Sequence, residues 1–196
     1  MNLPNILTLS RFLISTIVFV LIKFGDSMGL SAAFILFVVA CITDYYDGEI
    51  ARKRNQITVF GRIADPFADK FLVIGCFIFL YERNIGDIYH CWLNATALFL
   101  IISREFLVSS IRGYFESQGV SFPAEWLGKF KATWQYVSIG ILILYFAHGG
   151  RWEGEQFVPL HWILQWVGIT AVWSSVLVTL WSMQPYLKNA RLKTYK

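Results

Sequence analysis

The chain has 196 residues, 56% of them hydrophobic and 15% charged, with a formal net charge of +4. An ordinary soluble domain carries about 25% charged residues, so the composition argues against a water-soluble enzyme and for one all-α integral membrane domain over residues 1–196. Three cysteines, Cys41, Cys76 and Cys91, lie in or beside apolar runs without metal-ligand spacing, and read as buried packing groups rather than a disulfide framework.

The opening MNLPNILTLSR has Pro4 where an early helical turn tolerates it, and residues 1–6 can lie along the membrane interface. The first apolar run, Ile6–Phe24, is not read as a secretory signal, because Arg11 sits inside it and no small-residue cleavage site follows. The later runs are Met28–Asp47, Pro66–Tyr81, Ile88–Phe106, Thr133–Ala147 and Leu160–Met183. A membrane-crossing helix needs about 20 predominantly apolar residues. The second and third runs reach that length only if their helices continue through acidic positions, so six transmembrane helices are expected, with acidic groups near one membrane face.

Basic residues indicate which face. Arg52, Lys53, Arg54 and Arg62 follow the second span; Arg112, Lys129 and Lys131 follow the fourth; Lys188, Arg191, Lys193 and Lys196 form the tail. The other side holds Lys23, Arg83 and Arg151. The richer side is therefore expected to be cytoplasmic, together with both termini. Trp126, Trp152 and Trp162 fall near span ends as interfacial anchors, whereas Trp166, Trp173 and Trp181 are expected to face lipid or a neighbouring helix.

Between the second and third spans the chain reads DYYDGEIARKRNQITVFGRIADPFAD, from Asp44 to Asp69. Asp44 and Asp47 are spaced to share one helical face, and so are Asp65 and Asp69. Four carboxylates converging at a membrane edge repel one another unless cations lie between them, and hard divalent ions with oxygen ligands fit that need. Such ions stabilise charge on a phosphoryl group in transfer. Gly48, Ala51 and Gly61 leave room for a ligand, and Arg52 can neutralise a phosphate or pair with an aspartate. A single aspartate at a helix end could be a cap or sit in headgroup water; the spacing of four, with two glycines and an arginine between, is not explained that way.

The pattern of Asp44, Asp47, Gly48, Ala51, Arg52, Gly61, Asp65 and Asp69 resembles the full signature of the CDP-alcohol phosphotransferase family. The resemblance implies a six-helix membrane enzyme, commonly a homodimer, that moves a substituted phosphoryl group from a CDP-linked donor to an alcohol and releases CMP. It implies two magnesium or manganese ions held by Asp44, Asp47, Asp65 and Asp69, with Asp69 also the general base. Asp47, Gly48, Ala51, Arg52 and Gly61 would line the nucleotide and diphosphate site.

The acceptor is addressed by a second cluster, REFLVSSIR from Arg104 to Arg112 and GKFKATWQ from Gly128 to Gln135. On charge alone, Arg112, Lys129 and Lys131 fit equally an acceptor that carries a phosphate or contacts with anionic lipid headgroups. Arg104 lies within an apolar segment and needs an internal partner, which adjacent Glu105 does not supply if it points elsewhere on the helix. Likeness to family members that join CDP-diacylglycerol to sn-glycerol 3-phosphate covers most of the first 135 residues, through NLPNILTLSR, TDYYDGEIAR, DPFADK and these two segments. It implies that Arg112, Lys129 and Lys131 bind the acceptor phosphate. Phosphatidylinositol-phosphate synthases and cardiolipin synthases of the same family are the nearest alternatives. A small divalent-cation transporter would place carboxylates through several spans and near the midplane, yet spans five and six carry none in their interiors. The expected partners are both substrates, membrane lipids and a second copy, with no nucleic acid, in a bacterial inner membrane with the site facing the cytoplasm.

Overall fold

Apolar residues dominate the spans, and the computed structural model, which describes residues 3–53, 59–84, 93–119, 126–148 and 159–188, is helical through most of them. Among the described residues, six long helices form in chain order: α1 (Leu3–Phe24), α2 (Ser27–Lys53), α3 (Val59–Asn84), α4 (Ala95–Ser117), α5 (Trp126–His148) and α6 (Pro159–Trp181). No strand occurs among the described residues. As expected, α2 and α3 continue through the acidic positions.

The fourth and fifth helices show how the observed boundaries depart from the sequence expectation. The fourth span, placed at Ile88–Phe106, is a helix from Ala95 to Ser117, while residues 88–92 lie outside the described residues. Asn94 starts it, with its side-chain carbonyl accepting from the Ala97 amide at 2.8 Å. Gly119, at φ 73°, follows its end in the left-handed region where a side chain is disfavoured. Arg112 therefore belongs to α4, and Lys129 and Lys131 to α5, rather than to the loop between them. The fifth helix likewise begins earlier than Thr133, at Trp126.

α1 packs along both α2 and α3; α5 packs against α2, α3 and α6, and α4 against α3 and α6. The main core holds Ile22, Phe37, Phe77, Ile101, Leu142 and Val176, drawn from all six helices. The α1–α3 seam is aromatic: Phe19 lies 5.3 Å from Phe71 and 5.2 Å from Phe79, and Phe12 lies 5.2 Å from Phe71, between ring centroids. Gly75 admits this seam, since a Cβ there would fall 2.1 Å from the Phe19 ring. Cys76 is buried in the core and Cys41 half-buried, both as free thiols, in keeping with packing roles; Cys91 lies outside the described residues.

One end of the bundle is fastened by backbone carbonyls. Arg83 of α3 donates to the carbonyls of Ile22 at 2.6 Å and Gly25 at 3.0 Å, where α1 ends, and Lys23 pairs with Glu82 at 2.8 Å. Ser27, opening α2, donates to the Ala147 carbonyl at the end of α5. α3 thus runs parallel to α1 and opposite to α2, so the end of α2 and the start of α3 share the other end of the bundle.

The outer surface is apolar on every helix: Leu13, Ile35, Phe67, Phe99, Leu144 and Leu177 are examples. Among the described residues, two segments are long and apolar enough to cross a membrane, Trp126–His148 and Trp166–Lys188, with Ser27–Thr43 a shorter apolar helix. Trp126, Trp166, Trp173 and Trp181 are exposed. Trp152 and the side chain of Trp162 lie outside the described residues.

Candidate functional site

Asp44 and Asp47 lie on the helical backbone near the end of α2, and Asp65 and Asp69 on that near the start of α3. Their spacings of three and four positions therefore put each pair on one helical face. Gly48, Ala51 and Arg52 follow on α2, and Gly61 precedes on α3. The side chains at these sequence-predicted positions lie outside the described residues. Among the described residues, no group of three or more His, Cys, Asp or Glu could hold a metal ion. What the aspartate set offers is its chemistry: four oxygen donors on two helices that begin or end at the same end of the bundle, which suits a hard divalent cation.

The first helix brings polar groups toward the same end. Thr8, Arg11 and Ser15 are all buried on α1, at a spacing that gives one face. Sequence reasoning used Arg11 against a signal peptide and within the NLPNILTLSR likeness, but gave it no role of its own. The polar stripe in TLSRFLIS was the available signal.

On α4, α5 and α6 the structure builds a buried polar cluster around Glu105. Its Oε1 accepts from Lys131 Nζ at 2.5 Å, from Arg104 at 3.4 Å and from Gln135 Nε2 at 3.5 Å. Gln135 also donates to the Thr179 hydroxyl at 3.1 Å. Arg104 donates to the Thr179 carbonyl at 3.1 Å and to the Ser182 hydroxyl at 2.7 Å. Its internal partners are thus Thr179 near the end of α6, Ser182 just beyond it, and Glu105. This corrects the expectation that Glu105 points away: a long guanidinium bends back to its neighbour across the helix surface. Glu105 and Gln135 are the functional candidates that sequence reasoning left unassigned. The signal was a carboxylate inside an apolar run.

The three acceptor candidates differ in setting. Lys131 is only 8% exposed and bound to Glu105. Arg112 is half-buried and reaches Glu116 one turn on at 3.3 Å. Lys129 is exposed. All three sit on the end of α4 or the start of α5. Lys70, next to Asp69 on α3, donates to the Ser109 hydroxyl, which in turn donates to the Glu105 carbonyl at 2.6 Å. The aspartate-bearing helix is thereby tied to the basic cluster.

An apolar groove of about 650 Å³ runs between α2 and α5, lined by Phe34, Phe37, Cys41, Tyr136, Gly140 and Leu144 among others. Its lining on α2 ends at Ile42, just before Asp44. The exposed Ile42, Val137 and Leu144 mark its outer lip.

A sequence model of the family described as CDP-alcohol phosphatidyltransferase matches residues 1–181. The chain is 36% identical over 195 residues to a CDP-diacylglycerol–glycerol-3-phosphate 3-phosphatidyltransferase of Rickettsia typhi, covering 99% of this chain and 98% of the relative. It is 32% identical over 192 residues to the protein of the same description from Escherichia coli K12, covering 97% and 95% respectively.

Proposed function

The chain belongs to the CDP-alcohol phosphatidyltransferase family, and from that premise we propose the reaction and the residues that perform it. It transfers the phosphatidyl group of CDP-diacylglycerol to sn-glycerol 3-phosphate, giving phosphatidylglycerophosphate and CMP. The observation that carries this is likeness over nearly the whole chain to relatives named for that reaction, joined to an unbroken aspartate signature on helical backbone.

Asp69 accepts the proton of the sn-1 hydroxyl of glycerol 3-phosphate. That oxygen attacks the β-phosphorus of the donor, the bond from this phosphorus to the bridging oxygen breaks, and CMP departs with the electron pair. Asp44, Asp47, Asp65 and Asp69 would hold two divalent ions, magnesium or manganese, which supply positive charge against the phosphate oxygens. Gly48, Ala51 and Gly61 leave space for the nucleotide, with Asp47 beside it, and Arg52 neutralises the diphosphate. Arg112, Lys129 and Lys131 bind the acceptor phosphate, a dianion that a neutral alcohol would not match.

All six helices cross the membrane in this reading, with both termini and the aspartates toward the cytoplasm of a bacterial inner membrane. The apolar exterior on every helix supports it, because a water-soluble surface rarely presents so much exposed hydrocarbon. The groove between α2 and α5 supports lateral placement of the acyl chains, which leave between helices into the bilayer. The active form is a homodimer.

The test is CMP release by detergent-purified protein with CDP-diacylglycerol and magnesium, offering glycerol 3-phosphate, inositol 1-phosphate, serine or phosphatidylglycerol. Release with glycerol 3-phosphate alone is expected, and Asp69→Asn should reduce it by about two to four orders of magnitude. Release with a different acceptor alone would overturn the assignment of the basic trio. Full activity in Asp69→Asn would remove the proposed base.

A further inference from the structure

We propose that Glu105 is a positioning residue for the acceptor, holding the Lys131 ammonium where it meets the phosphate of glycerol 3-phosphate; this rests on the acceptor site proposed above. A buried lysine is a poor reagent for recognition if its long side chain samples several rotamers. Here Lys131 is buried and its Nζ lies 2.5 Å from Glu105 Oε1, so the carboxylate fixes the charge in space. An ammonium carries three N–H donors, so contacts to Glu105 and to a phosphate are compatible.

The carboxylate is itself held. Arg104 and Gln135 approach the same oxygen at 3.4 and 3.5 Å, and both are anchored on α6 through Thr179 or Ser182. Among the described residues, the Glu105 carboxylate is paired with both Arg104 and Lys131. Arg104 is turned toward the C-terminal carbonyls of α6, which carry the negative end of that helix dipole. Lys131 is turned toward Glu105, on the helix that also bears Lys129. In a low-dielectric setting each of these charges acts strongly on its neighbours, so the position of the Lys131 ammonium follows that of the Glu105 carboxylate. Glu105 touches no substrate atom in this arrangement and acts through Lys131.

The experiment measures kcat and the separate KM values for glycerol 3-phosphate and CDP-diacylglycerol in wild type, Glu105→Gln, Glu105→Asp, Lys131→Met and the Glu105→Gln/Lys131→Met double variant. Loss of one charge-assisted contact should raise the glycerol 3-phosphate KM of Glu105→Gln roughly tenfold, with the donor KM unchanged. Glu105→Asp should recover part of that loss. The double variant should be no worse in acceptor KM than Lys131→Met alone, because the carboxylate works through the lysine. If Glu105→Gln lowers kcat and raises both KM values together, or multiplies the Lys131→Met effect, Glu105 is structural only and the proposal fails. If Lys131→Met leaves the acceptor KM unchanged, the acceptor site itself is wrong. If Lys131→Met raises it and Glu105→Gln does not, the acceptor site stands and only the role of Glu105 falls. Should Glu105→Gln not fold, Gln135→Leu removes one support of the carboxylate and should still raise acceptor KM selectively; an unchanged value there overturns the proposal.

Discussion

Arg104 directs its guanidinium at the final turn of α6, bonding the Thr179 carbonyl and the Ser182 hydroxyl while touching Glu105. A buried cation so placed is costly to disturb, because its removal leaves both a carboxylate and helix-end carbonyls short of a donor. Breaking such a buried arrangement from one side costs about 3–5 kcal/mol. Arg104→Leu is therefore expected to lower the thermal midpoint of the detergent-solubilised protein clearly, even where the substituted side chain fills the space. An unchanged midpoint would mean that α6 is held mainly by its apolar contacts. The same residue shows where local reasoning stops: its partners lie 75 and 78 positions away in sequence, so periodicity could predict that a partner exists but not which one. The aspartate spacings, by contrast, are local, and the helical backbone of α2 and α3 at those positions follows from the sequence alone.

At the level of the helix, the α1–α3 seam depends on one missing methyl group. Gly75→Ala would drive its Cβ to 2.1 Å from the Phe19 ring, which already stacks with Phe79 and tilts against Phe71. Alanine favours a helix over glycine by about 1 kcal/mol, but overpacking of this kind costs about 1–3 kcal/mol. The expected net result is a less stable protein, and a raised midpoint would show that the seam can relax. Helix identity was legible from apolar runs of adequate length. The end of α4 was not, because the apolar run that holds Arg104 and Glu105 stops at Phe106, with Ser109 beyond it. Their polar groups are satisfied by α3, α5 and α6, so the helix continues to Ser117. Polarity in the sequence marked a buried site rather than a boundary.

For the whole molecule, the bundle has two unlike ends. At one, Arg83 and Ser27 fasten helix termini through carbonyl oxygens; at the other, α2 and α3 carry the aspartate positions and α4 and α5 the basic cluster. Because the first end owes its fastening to the chain alone, loss of divalent ions should spare the fold. EDTA is expected to abolish CMP release while the far-ultraviolet helical spectrum persists, and added magnesium should restore release. Turnover that survives complete chelation would overturn the metal assignment. The groove between α2 and α5 has a consequence for kinetics. Its lip of Ile42, Val137 and Leu144 is exposed along α2 and α5, which the proposed function places in the bilayer. A donor entering there arrives by diffusion in two dimensions, so saturation is set by its mole fraction among the surrounding lipids. Diluting the membrane with inert lipid slows such an enzyme at constant bulk concentration, whereas the water-soluble acceptor still obeys ordinary molarity.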